Sequence, residues 1–234
     1  MRSHQDHIGF GRRMATLACF TAISFPAGAA GTTPANLAPD LDATKTALIA
    51  FTQCDASFFT LLGQKPQLFG SGVEVTMNGA VAAPTVADPR AQKGQRQSFA
   101  RPIDVAGLRL IGWRNEVSYD ATMGAFLWWG FDVEGTPDTA ADALNRLLPP
   151  AQRVVKMGDE WARAESRRIG DPIDAWRRGG QSGSVTQKGT VERVLLVEAD
   201  EAPGRTKVSC ALQGSVTPPL LERVRPDLPA SLQQ

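Results

Sequence analysis

The longest helical pattern in the chain runs from Leu41 to Leu62, where Ala47, Phe51, Cys54, Phe58 and Leu61 or Leu62 recur with a 3.6-residue period on one stripe. Asp42 is placed to cap its start, and Gly63 with Lys65-Pro66 predicts its end. Beyond it the period changes to two. Val73 to Met77 alternates as a strand, Asn78-Gly79 is a hairpin turn, and Ala80 to Ala82 returns. Residues 83 to 106, with Pro84, Pro89 and Pro102, show no firm element. Two long strands follow. Ile111, Trp113, Val117 and Tyr119 mark one face of the first; Leu127, Trp129, Phe131 and Val133 mark one face of the second.

Thr136-Pro137-Asp138 has the composition of a helix start, with Ala140 or Ala141, Leu144, Leu147 and Leu148 on the buried side and Pro149-Pro150 at the end. The pattern then recurs. Val155, Met157, Gly158-Asp159 and Trp161 fall 80 positions after Val75, Met77, Asn78-Gly79 and Val81; Thr217-Pro218 falls 81 after Thr136-Pro137. Val191 to Ala199 and Thr206 to Leu212 form a further hairpin. These offsets predict an α+β fold of two tandem units, residues 41 to 135 and 136 to 216. Each has one helix followed by about four antiparallel strands, with the helices on one sheet face, and residues 217 to 234 form a C-terminal turn or short helix and tail. Residues 153 to 168 also fit a helix through Val154, Met157, Trp161 and Ala164, which would remove the second unit's first hairpin.

Composition adds a compartment. Arg2, Arg12 and Arg13, the apolar run Met14 to Phe25, and Ala27-Gly28-Ala29 have the order of an export signal cleaved near Ala29, leaving a tether over 30 to 40. The run is too short to span a bilayer, and the mature chain is not expected to insert stably in a membrane. Arg12-Arg13 is a candidate twin-arginine address, although Ala15 and Thr16 stand where strongly apolar residues are expected, so both export routes stay open, and Cys19 sits one place off a lipid-attachment box. The expected location is the periplasm or the exterior. The formal charge of +1 becomes −1 once the leader's three arginines and Asp6 are gone, a balance that excludes nucleic acid as the natural partner.

Cys54 and Cys210 remain as an even pair in an oxidising compartment, and a bridge between them is expected, tying the first helix to the last strand. Both histidines, His4 and His7, fall in the leader, so serine–histidine and cysteine–histidine catalysis and imidazole-ligated zinc are excluded from the mature protein. The sequence contains no phosphate loop, dinucleotide fingerprint or calcium loop, and no cofactor or metal is expected. Asp132 and Glu134 share one side of a strand and could supply an acid and a base for glycan cleavage, the plainer account being an ordinary solvent face at the strand end. Glu198, Asp200 and Glu201 crowd a hairpin end as an ordinary solvated turn. The arginines 163, 167, 168, 177 and 178 are interleaved with acids at spacings that predict local ion pairs.

The positive feature is aromatic. If Trp129 and Phe131 enter the core, Phe126 and Trp128 stand on the opposite face, near Arg114, and that face is exposed unless residues 83 to 106 cover it. The expectation is a non-enzymatic protein that binds another envelope or secreted protein through Phe126, Trp128 and Arg114. The alternative is a carrier holding an apolar molecule among Phe51, Phe58, Leu127 and Trp129, and a third reading is a glycan hydrolase using Asp132 and Glu134.

Overall fold

The structure, a computed structural model, describes residues 37–180 and 185–233; the expected leader and most of the tether lie outside them. Among the described residues four short α-helices accompany ten strands: α1 (Leu41–Phe51), α2 (Ser57–Gln64), β1 (Val75–Asn78), β2 (Val81–Pro84), β3 (Arg96–Val105), β4 (Leu108–Asp120), β5 (Gly124–Glu134), α3 (Pro137–Leu147), β6 (Val155–Met157), β7 (Glu160–Arg168), β8 (Arg177–Arg178), β9 (Thr190–Ala199), β10 (Arg205–Gly214) and α4 (Pro218–Val224). Eight strands make one antiparallel sheet in the order β3-β4-β5-β10-β9-β7-β6, with β8 also on β7, while β1 and β2 form a separate two-stranded sheet.

The two-unit architecture expected from the offsets is therefore corrected. β5 and β10 pair directly along their whole length, from Arg205 opposite Glu134 to Gly214 opposite Ala125, so the strands belong to one continuous sheet. The matched hairpins also have different fates. β1-β2 stands apart against α2, whereas β6-β7 enters the main sheet. Spacing of turns is a local property, and it does not determine which strand edges meet. Thr136 and Thr217 both precede a helix with proline in its first turn, but Thr136 makes a capping box and Thr217 makes no side-chain cap bond.

The expected helix 41 to 62 is two helices. Asp40, in place of Asp42, caps α1 by accepting the Ala43 N–H at 3.0 Å. The helix stops at Thr52, Cys54 takes a left-handed φ of 50°, and Asp55 accepts the Ser57 N–H at 2.9 Å to start α2. This break has a purpose in the covalent frame, since it places Cys54 over the central strand β10, where it is bonded to Cys210 with a Cα–Cα distance of 5.4 Å. The end of α1 leaves backbone carbonyls without helical partners. Arg163 of β7 donates to the Thr52 carbonyl and, at 2.7 Å, to that of Gln152; its burial lowers the guanidinium pKa.

Residues 153 to 168 form a hairpin and no helix. Asn145 of α3 pins the entry to β6, its side chain bonding both the N–H and the C=O of Val154 at 3.0 Å. All four helices contribute to one core against one sheet face, with Phe51, Phe58, Leu144 and Leu220 beside Trp113, Leu127, Trp129 and Phe131. Its rings are in edge or stacked contact: Trp113–Phe131 at 4.9 Å, Phe51–Phe131 at 5.1 Å and Phe58–Trp113 at 5.3 Å. One cation lies in this core. Arg225, fully buried, donates to Asp227 at 2.8 Å through Nε and Nη2 and to Asn115 at 3.0 Å, with its guanidinium 4.5 Å from the Trp129 ring. No helix among the described residues is long and apolar enough to cross a membrane.

Candidate functional site

Strand alternation fixes what stands on the face away from the helices. Leu127, Trp129, Phe131 and Val133 enter the core, so Phe126, Trp128, Gly130 and Asp132 of β5 project to the outer face. Register brings their neighbours into line. Trp128 lies opposite Glu116 of β4 and Ala211 of β10; Gly130 lies opposite Arg114 and Ser209. Across β9 and β7, Ala211 continues to Val194 and Ala164, and Ser209 to Leu196 and Ala162. Ala162, Val194, Leu196 and Ala211, all buried, form a second apolar cluster to which no helix among the described residues contributes, and Trp128, half-buried, packs against it. The same face runs on to the sheet edge at Val155 and Met157, which are 57% and 41% exposed.

The Arg114 side of this face is an ion-pair network. Asp132, its side chain fully buried, pairs with both Arg96 and Arg114, and Arg114 pairs also with Asp200. Arg96 faces Asp132 Oδ2 as a charge neighbour without the alignment of a hydrogen bond. A glycine makes the room, because a Cβ on Gly112, at the irregularity in β4, would sit 2.9 Å from that oxygen. The accessible members are the cations: the side chains of Arg96 and Arg114 are 34% and 31% exposed, those of Asp132 and Asp200 0% and 7%. Burial works to lower the Arg114 pKa, but the hydrogen bond to Asp132 and the charges of Asp132 and Asp200 outweigh it and raise the group. Burial likewise works to raise Asp200; the Ala202 N–H and the charges of Arg114, Arg96 and Lys207 prevail and lower it. Ser209 Oγ, next to Gly130, is buried without a hydrogen-bond partner.

The sequence-derived residues are thus brought together in part. Phe126, Trp128 and Arg114 share one face, with Arg114 diagonal to Trp128 across Gly130. Arg96 and Ser209 join them from strands that the sequence pattern does not link to this face. Arg96 lies in β3, within the stretch where no element was legible, and Ser209 carries no sequence signal beyond its parity with Ala211.

The other candidates have different surroundings. Asp132 is clamped by its arginines, and Glu134, on the same face, accepts from Arg109 at 3.1 Å, so both carboxylates expected to work on a glycan are held in ion pairs. At the β9–β10 turn, Glu198 pairs with Lys207 at 2.7 Å and Asp200 with Arg114. Phe51, Phe58, Leu127 and Trp129, which a carrier would use to line a cavity, are at most 1% exposed and belong to the main core cluster, where Phe51 and Phe58 are in ring contact at 5.7 Å. The interleaved arginines mostly bond other groups than their local acids. Arg163, Arg167 and Arg178 donate to backbone carbonyls, and Glu165 pairs with Arg193 of the adjacent strand at 2.7 Å. On the helix side a cleft of about 280 Å³ opens between the start of α2, Trp176, Arg193 and α4; Arg193 stacks on Trp176 at 4.4 Å, and Asp174 with Arg223 forms a rim ion pair at 3.4 Å. No family model matches the chain, and no curated protein or solved structure matches it.

Proposed function

We propose that the chain is exported, loses its leader near Ala29, and acts in the periplasm or outside the cell as a non-enzymatic protein. Its outer sheet face binds another envelope or secreted protein, in an inhibitory, immunity or assembly role. The observation that carries this reading is the half-buried pair Phe126 and Trp128 on the sheet face away from the described helices, with Trp128 seated on Ala162, Val194, Leu196 and Ala211, which are themselves buried and support it from within. A partly exposed tryptophan and phenylalanine beside arginines that are about one-third exposed have the composition of a binding hot spot. The Cys54–Cys210 bond suits an oxidising compartment and braces the sheet from its other side, which favours a rigid platform over a deforming one.

Photocrosslinking in cells tests the reading. A benzophenone amino acid at Phe126 is expected to give a covalent adduct with one discrete protein, and the same group at Ala56, on the helix side, none. Adducts from position 56 alone, or from neither position, would overturn it.

A further inference from the structure

We infer that the outer face selects an extended partner segment in which a carboxylate and a large apolar side chain stand two residues apart, the carboxylate taken by Arg96 and Arg114 and the apolar group by Trp128. This inference rests on the reading of that face as a protein-binding surface and adds the chemistry of what it binds. The first premise is a difference in exposure. The network holds two arginines and two aspartates and is neutral by count, but its carboxylates are buried and its guanidiniums are about one-third exposed. A partner approaching the Arg96–Arg114 end of the face therefore meets cationic edges, with the exposed Glu116 beside them, opposite Trp128. Among the described residues, Arg114 donates through Nε to Asp132 and through Nη2 to Asp200, and Arg96 faces Asp132 by charge alone, which leaves N–H groups of both guanidiniums for a partner.

The second premise is preorganisation. Asp132 and Asp200 hold the Arg114 guanidinium by hydrogen bonds from beneath, and Asp132 holds Arg96 beside it by charge, so Arg114 has little side-chain freedom left to lose when a carboxylate docks. An arginine fork held in place accepts a carboxylate through paired hydrogen bonds, which neither a lysine nor a mobile arginine does as well. The third premise is distance. Arg114 lies opposite Gly130, and Trp128 is the next residue on that face of β5, which makes Arg114 and Trp128 diagonal neighbours. Diagonal neighbours in a sheet are roughly 7–8 Å apart, close to the span between residues i and i+2 on one side of an extended chain, at about 3.3 Å per residue. Gly130 carries no side chain between them. The segment is therefore acid-x-apolar, or its reverse, in strand conformation.

The test is selection of a random short-peptide phage library on the immobilised full-length mature protein with its disulfide intact, followed by affinity measurement on the enriched peptides. Enriched sequences are expected to carry Asp or Glu two residues from a large apolar residue and to lose binding to Trp128→Ala. Converting the peptide's acid to its amide is expected to weaken binding about tenfold, and Arg109→Gln, in a neighbouring exposed ion pair on the same face, to leave it unchanged. The amide peptide keeps the test sound even if Arg114→Gln fails to fold, since the protein is untouched. Peptides that need Trp128 but show no acid, or bind equally as amides, would overturn this inference and leave the binding face standing. No peptide dependent on Trp128 would overturn both, as would binding to phosphatidylglycerol vesicles in place of acidic peptides.

Discussion

Breaking the Cys54–Cys210 bond is the perturbation with the largest consequence for stability. The bridge spans 156 residues, and the loop-entropy relation gives about 5 kcal/mol for a closed loop of that length at 25 °C. Both sulfurs are buried, at 1% and 0% exposure, so substitution by alanine also removes packed atoms, roughly 1 kcal/mol more. Strain and residual structure in the unfolded chain pull such values down, and a net loss of about 3–5 kcal/mol is expected for Cys54→Ala/Cys210→Ala. With a urea slope near 2.5 kcal/mol per M, the unfolding midpoint falls by about 1–2 M. Equilibrium unfolding followed by the fluorescence of the core residues Trp113 and Trp129 reads this directly. Adding reductant to the wild type should reproduce the shift, and adding it to the double variant should do nothing. A midpoint displaced by less than about 0.3 M, or a reductant effect on the double variant, would refute the bridge as the brace between the α1–α2 junction and β10.

Two further outcomes follow from the buried and surface charges. Asp227→Ala leaves the fully buried Arg225 without its bidentate partner and is expected to cost about 3–5 kcal/mol, whereas Arg225→Met/Asp227→Leu, which removes both charges, should cost markedly less in the same urea assay. The Asp138 carboxyl is lowered below the ordinary aspartate value first by the Trp161 Nε1–H bond and then by Lys156. Its contribution to stability is complete above the unfolded-state pKa and disappears as pH falls through the depressed folded value; a carboxyl-carbon NMR titration should show Trp161→Phe moving the midpoint back up.

The parts of the fold legible in the sequence were those set by local pattern. The 3.6-period stripe exposed Cys54 as a core-facing residue, the alternation in β10 did the same for Cys210, and cysteine parity joined them. Thr136-Pro137 marked the start of α3 because capping chemistry is local. Three features were decided by tertiary contact and left no pattern. The positive φ at Cys54 splits the helix for the sake of the bridge. The pairing of β5 with β10 fuses the sheet through long-range hydrogen bonds that turn spacing does not encode. β3 carries Pro102 and a register shift between Ser98 and Ile103, which hid a strand in the polar connection and with it Arg96. The candidate face was half visible: strand parity put Phe126, Trp128 and Asp132 together, but the role of Asp132 as the buried anchor of two arginines depended on Arg96. Asp132 read as a carboxylate for catalysis because its cations come from other strands.

The most direct measurement is the affinity of the purified protein that crosslinks at position 126, taken by calorimetry for the wild type and Trp128→Ala side by side. Loss of the indole at the centre of the face is expected to weaken binding by about 2–3 kcal/mol, roughly 30- to 150-fold. Equal affinities for the two proteins, with both correctly folded and oxidised, would contradict the account.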